Sequence, residues 1–137
     1  SNITGKSPVS GNFKIGSVEN IDGDMKYVNM IIDNLGSSLS ANCDYSNIKI
    51  NNVSPRLTKL NINGRYSDVT LSLPTSVSAS FSVNMKYGDF KVDKKYTIKY
   101  TEQSGTSKQI VRKGQIGSKK PTAVISISSS YSDIKFK

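Results

Sequence analysis

Apolar and polar residues alternate strictly in four stretches of the chain, and each stretch runs into a tyrosine. Leu39, Ala41 and Cys43 lead to Tyr45, and Leu60, Ile62 and Gly64 lead to Tyr66. Phe81, Val83 and Met85 lead to Tyr87, and Ile125, Ile127 and Ser129 lead to Tyr131. The residues between them are polar, as in Ser40, Asn42 and Asp44 or Ser126, Ser128 and Ser130. A period of two puts one set on a single face of a strand and the other set on the opposite face. The pattern predicts strands whose apolar set, tyrosine included, faces a core while the polar set faces solvent.

Each tyrosine opens a six-residue phrase: aromatic, small, Asn or Asp, apolar, any, apolar. It reads Tyr45-Ser46-Asn47-Ile48-Lys49-Ile50, Tyr66-Ser67-Asp68-Val69-Thr70-Leu71, Tyr87-Gly88-Asp89-Phe90-Lys91-Val92 and Tyr131-Ser132-Asp133-Ile134-Lys135-Phe136. Tyr27-Val28-Asn29-Met30-Ile31-Ile32 is a weaker copy, and Ser10-Gly11-Asn12-Phe13-Lys14-Ile15 a degenerate one. A small residue followed by Asn or Asp is turn chemistry, so the unit is strand, corner, short strand, loop. The Asn/Asp positions 12, 29, 47, 68, 89 and 133 are spaced by 17, 18, 21, 21 and 44 residues. A recurring period of about 20 residues signals stacked supersecondary units, none of which buries its apolar face alone. The expected fold is all-β: a parallel β-solenoid (β-helix or β-roll) of about six rungs, with a hairpin-like excursion near 93–121. Antiparallel hairpins are the rival, but they would place turn signals every 8–12 residues or so and need no tyrosine phrase in one phase.

The length of 137 residues suits one domain, residues 1–137, expected to be the C-terminal part of a longer secreted protein. No apolar run is long enough for a transmembrane helix. The chain has no histidine, which excludes His-containing zinc sites and Ser-His-Asp or Cys-His catalysis. Its one cysteine, Cys43, lies in the apolar set and reads as a buried small hydrophobe. No cofactor and no metal site are expected.

The net charge is +9, and it is unevenly placed: residues 1–90 carry +1, residues 91–120 carry +7 and residues 121–137 carry +1. The basic part coincides with the excursion of 93–121, where the repeat fails. Lys95–Thr101 alternates like a strand, Gln103–Ser107 reads as a polar loop, and Lys108–Lys113 as a second strand. Lys94, Lys95, Lys99, Lys108, Arg112 and Lys113 are the candidate contacts for an anionic partner. Against this stands a solvated flap whose lysines keep its edge from pairing. Tyr96, Ile98 and Tyr100 share one face, and whether it looks inward or outward decides between the two. A second basic feature is the outward position of each short strand: Lys14, Ile31, Lys49, Thr70, Lys91 and Lys135.

Asn12, Asn29, Asn47, Asp68, Asp89 and Asp133 are expected to stack at one structural corner, accepting turn N–H groups and laddering their amides. With Asp68 and Asp89 one rung apart, a Ca²⁺ site or an acid/base pair is the sharper alternative. Tyr27, Tyr45, Tyr66, Tyr87 and Tyr131 are expected to form an inward aromatic stack. A sugar-stacking surface would need those rings outside.

The closing Gly114-Gln115-Ile116-Gly117 and Ile125–Phe136, with the internal Tyr-Ser/Gly-Asp phrases, resemble the repeats and C-terminus of a bacterial adhesin-type family. The resemblance spans most of residues 10–137 and implies a β-solenoid that is secreted or surface-associated. It supplies no ligand residues. Ser10 in place of tyrosine and the short early spacing depart from the family pattern.

The leading functional expectation is a non-enzymatic adhesin-like scaffold, extracellular, at the cell surface or periplasmic, that binds an anionic glycan or a surface protein. Self-association through the solenoid ends is a further expectation. One alternative is a carbohydrate-active β-helix enzyme of polysaccharide-lyase type using Asp68, Asp89 and Arg65 with Ca²⁺. A purely structural module is another. Specific nucleic-acid recognition has no motif to support it.

Overall fold

The alternating stretches form strands, and the tyrosine at the end of each is where the chain turns. A computed structural model describes residues 2–74, 77–106, 108–117 and 119–137, with side chains from residue 11 onward. The side chain of Ser10 and the loop residue Ser107 lie outside the described residues. Ten strands make one sheet: β1 (Asn2–Asp44), β2 (Asn47–Ile50), β3 (Lys59–Arg65), β4 (Asp68–Leu71), β5 (Ala79–Lys86), β6 (Phe90–Val92), β7 (Ile98–Gly105), β8 (Gln109–Ile116), β9 (Ala123–Ser130) and β10 (Ile134–Phe136). The described residues contain no helix, and so none long and apolar enough to cross a membrane.

The sheet order is β6-β10-β4-β2-β1-β3-β9-β5-β8-β7. β1 joins two arms because it bends between its residues 32 and 38, after an earlier left-handed corner at Tyr27, where φ is 56°. Its residues 29–32 pair with β2 in the arm of short strands, and its residues 38–44 pair with β3 in the arm of long strands. The arms curl around a shared core. Leu39, Leu60, Ile62, Val83 and Ile125 enter from the long strands, and Ile32, Ile50, Leu71 and Phe136 from the short ones, all essentially without solvent contact. The alternation therefore places its apolar set as expected, up to the tyrosine.

The architecture is a curled, half-barrel sheet of mixed strand direction rather than a regular parallel solenoid of six rungs. Two features cause the difference. β8 pairs antiparallel with β5 and with β7, so the excursion is a hairpin built into the end of the long arm. The last repeat also does not stack at the end. β9 pairs in parallel with both β3 and β5, and β10 with both β4 and β6, so the C-terminal unit lies between two units that are consecutive in the chain. The 44-residue spacing thus reflects a detour through the hairpin and a return to an interior position.

Tyr96 closes the core at that end. It is buried, and its hydroxyl accepts the Leu73 N–H at 2.9 Å and lies against the carbonyl oxygens of Leu73 and Lys137. Tyr100 meets Phe81 edge-to-face, with centroids 5.9 Å apart, across Gly114, which is paired to both residues. A Cβ at Gly114 would overlap the Lys99 carbonyl oxygen. The Tyr96–Ile98–Tyr100 face is therefore graded: Tyr96 is buried, Ile98 is half-buried against the core, and Tyr100 stays exposed while its ring touches Phe81.

Candidate interaction surface at the tyrosine corner

The tyrosines do not face inward. Tyr27, Tyr45, Tyr66, Tyr87 and Tyr131 are 46–61% exposed and form a ridge along the outer corner. The reason is local: all five have φ between 51 and 56°. A left-handed residue breaks the period-two alternation, swings its side chain out and hands the inward position to the next residue. For a residue with a Cβ this conformation costs about 1–2 kcal/mol. The rings offset it by stacking in the order Tyr27, Tyr45, Tyr66, Tyr131, Tyr87, with centroids 4.9–5.2 Å apart and planes within 14°. Each such pair contributes about 0.5–1.5 kcal/mol beyond area burial.

The inward position belongs to the small residue of the phrase. Ser46, Ser67 and Ser132 are buried, and their hydroxyls donate to the carbonyls of Asp44, Arg65 and Ser130 at 2.9–3.0 Å. Each hydroxyl also accepts an N–H from the neighbouring unit: Val28 to Ser46, Ser46 to Ser67 and Ser67 to Ser132, at 2.9–3.1 Å. The ladder ends at Gly88, where a Cβ would overlap the Ser132 carbonyl oxygen. Turn chemistry alone does not announce the burial of these serines; the restriction to Ser or Gly after the four strongest tyrosines is its signal in the sequence.

The next outward column is the Asn/Asp corner, with Asn12 side-chain-bonded to Asn29 at 3.0 Å and Asn29 to Asn47 at 3.2 Å. Past Asn47 the column changes chemistry. Asp68 accepts the Asp133 N–H at 3.0 Å, and Asp133 accepts the Asp89 N–H at 3.2 Å. Asp68 and Asp89 are therefore not one step apart, because Asp133 separates them. The insertion of the C-terminal unit is the cause. Among the described residues no group of three or more His, Cys, Asp or Glu side chains is arranged to hold a metal ion. Beyond the corner runs the column Lys14, Ile31, Lys49, Thr70, Lys135, Lys91, exposed except for the half-buried Thr70. On the other side of the ridge stand Lys26, Asp44, Arg65, Ser130 and Lys86, with Arg65 and Asp44 paired at 3.5 Å.

The six basic residues of the excursion do not converge. Lys94 and Lys95 precede β7 and Lys108 follows its far end, so the eight-residue strand, about 25 Å long, separates them. Arg112 donates to the carbonyls of Ser104 and Val111, both at 2.9 Å, and so braces the hairpin. Lys113 pairs with Glu102 at 3.5 Å, and the Lys95 ammonium lies 5.2 Å from the Tyr96 ring centre. Lys99 is exposed on the outermost strand.

A groove of about 520 Å³ lies where the loops after the short strands meet, bordered by Glu19, Asn34, Asn52, Ser54 and Arg56. The Arg56–Glu19 pair spans 3.9 Å between exposed side chains, which makes it a weak constraint. Cys43 lies inside the core, and burial, helped by the nearby Asp44 charge, pushes its thiol up to about 12. It is not a nucleophile at neutral pH. No family model, curated protein or solved structure matches the chain.

Proposed function

We propose that the chain is a non-enzymatic, solenoid-type scaffold of adhesin character that works outside the cytoplasm and binds an anionic glycan along its tyrosine corner. The reading rests on one observation: five half-exposed phenol rings stand in register at about 5 Å intervals beside a column of lysines. Ring faces inside the stack are occupied by neighbouring rings. What the ridge offers a ligand is therefore a row of ring edges and hydroxyls, with lysine ammonium groups alongside. An extended polymer carrying carboxylate or sulfate groups meets both sets of donors repeatedly, and repetition builds affinity from individually weak contacts. The repeated Tyr-Ser/Gly-Asp phrase, with its likeness to adhesin-type repeats, supports the same reading.

A glycan-array screen at low and at physiological salt tests it. Binding of an acidic polysaccharide at physiological salt, lost in Lys91→Ala/Lys135→Ala, is the expected result. Binding lost instead in Lys94→Ala/Lys95→Ala/Lys99→Ala/Lys108→Ala would move the site to the hairpin. Binding confined to low salt would reduce both lysine sets to a solvated face.

A further inference from the structure

The stacking order departs from the chain order at one place, and that place is a slot. The β3–β4 and β5–β6 units are consecutive in sequence but are not ladder partners; β9–β10 lies between them. β9 pairs with β3 over residues 124–130 and with β5 over residues 123–130. Ile125, Ile127, Ile134 and Phe136 are at most 2% exposed. Tyr131 stacks between Tyr66 and Tyr87, Ser132 accepts the Ser67 N–H, and Asp133 bridges Asp68 and Asp89. Residues 123–137 are thus gripped along both backbone edges and over the whole apolar face.

Their covalent link to the rest of the molecule is slight by comparison. Ile116 and Ala123 are both register partners of Ala79, so β8 and β9 flank the start of β5 on its two sides. Lys119, Lys120, Pro121 and Thr122 are exposed, and the link is tied down at Ser78, which receives the N–H groups of Lys119 and Thr122.

We propose that the gap between β3–β4 and β5–β6 is a strand-acceptor slot that takes residues 123–137 of a second copy of this chain as well as its own. The contacts that seat the segment are made to strands β3–β6, and each is reproduced unchanged when the segment arrives from another molecule. An empty slot exposes two facing strand edges and an opening for four large apolar side chains, so it must be filled. Connectivity favours the chain's own segment at low concentration, and a second copy competes as concentration rises. Reciprocal exchange closes a dimer, and one-way exchange propagates an open chain.

The test uses two full-length variants in a Cys43→Ala background, one with Asn61→Cys and the other with Ser126→Cys. Asn61 and Ser126 are register partners on the outer face of adjacent strands, a separation that suits a disulfide. The two are unfolded, mixed, refolded together at high protein concentration, oxidised and run on a non-reducing gel. A disulfide-linked heterodimer whose yield rises with concentration is expected. It should exceed by several-fold the yield from Ser40→Cys mixed with Ser126→Cys, because Ser40 sits one strand further from the slot. Equal yields in the two mixtures, or no heterodimer in either, overturn the proposal. The single chain carrying both Asn61→Cys and Ser126→Cys should oxidise as a monomer at low concentration. That result shows that the substitutions leave the slot intact, so a missing heterodimer counts against exchange and not against folding.

Discussion

Replacing Tyr66 separates the two opposing terms that set the tyrosine corner. Tyr66 is an interior member of the ridge, stacked on Tyr45 at 5.0 Å and on Tyr131 at 4.9 Å, with φ at 53°. Tyr66→Ala removes two ring pairs, about 1–3 kcal/mol in all, and retains the left-handed strain of a residue with a Cβ. Tyr66→Gly loses the same pairs and relieves that strain, by about 1–2 kcal/mol less about 0.4–1 kcal/mol for the greater freedom of the unfolded chain. The glycine variant should therefore be the more stable of the two, by roughly 0.5–1 kcal/mol. Within an ordinary strand the order is reversed, with glycine the worse by about 0.5–1 kcal/mol. Tyr27→Ala, at the end of the ridge with Tyr45 as its one stacking partner, should cost about half as much as Tyr66→Ala. Urea unfolding followed by far-UV circular dichroism gives the three midpoints, which compare directly if the slopes agree. Tyr66→Ala more stable than Tyr66→Gly, or Tyr27→Ala as damaging as Tyr66→Ala, would refute the balance of strain against stacking.

Ser67→Ala strands the buried Ser46 N–H and the Arg65 carbonyl of a hydrogen bond each, and should lower unfolding free energy by about 1–3 kcal/mol in the same assay. Gly88→Ala drives a Cβ into the Ser132 carbonyl oxygen and should be among the most damaging single substitutions, about 3 kcal/mol or more, with soluble yield as a first readout. Cys43 ionises at about 12 when folded and at about 9.0 when unfolded, so the folded state holds its proton more tightly. Stability from this group is complete below pH 9.0 and falls as pH rises toward 12; Cys43→Ala should show a shallower alkaline loss, measured by urea midpoints across that range.

The legible part of this molecule is what short-range pattern controls. Alternation at Leu60-Asn61-Ile62 or Ile125-Ser126-Ile127 puts one set of side chains indoors and the other outdoors whatever the neighbouring strand is, because the pleat has a period of two. The in-phase Asn/Asp position likewise makes a shared corner column, since like residues at like places in stacked units must meet. Two features escaped the pattern. Alternation alone puts the tyrosines inward, and a left-handed φ that only the corner geometry imposes turns them out. Burial passed to Ser46, Ser67 and Ser132, small enough to sit beneath the turn with their hydroxyls satisfied.

The amino-acid sequence by itself determined that the chain is all-β, that the alternating strands send their apolar residues into the core up to each tyrosine, and that the basic charge gathers in residues 91–120. Only the tertiary structure decided the order in which those units stack, the outward ridge they form and the direction of the Tyr96–Tyr100 face. The physical reason is that the units are nearly interchangeable. Most of them offer a neighbour the same parallel ladder and a similar apolar face. The placement of residues 123–137 between β3–β4 and β5–β6, with the antiparallel hairpin on the other edge of β5, is an outcome of long-range packing that no local phrase records.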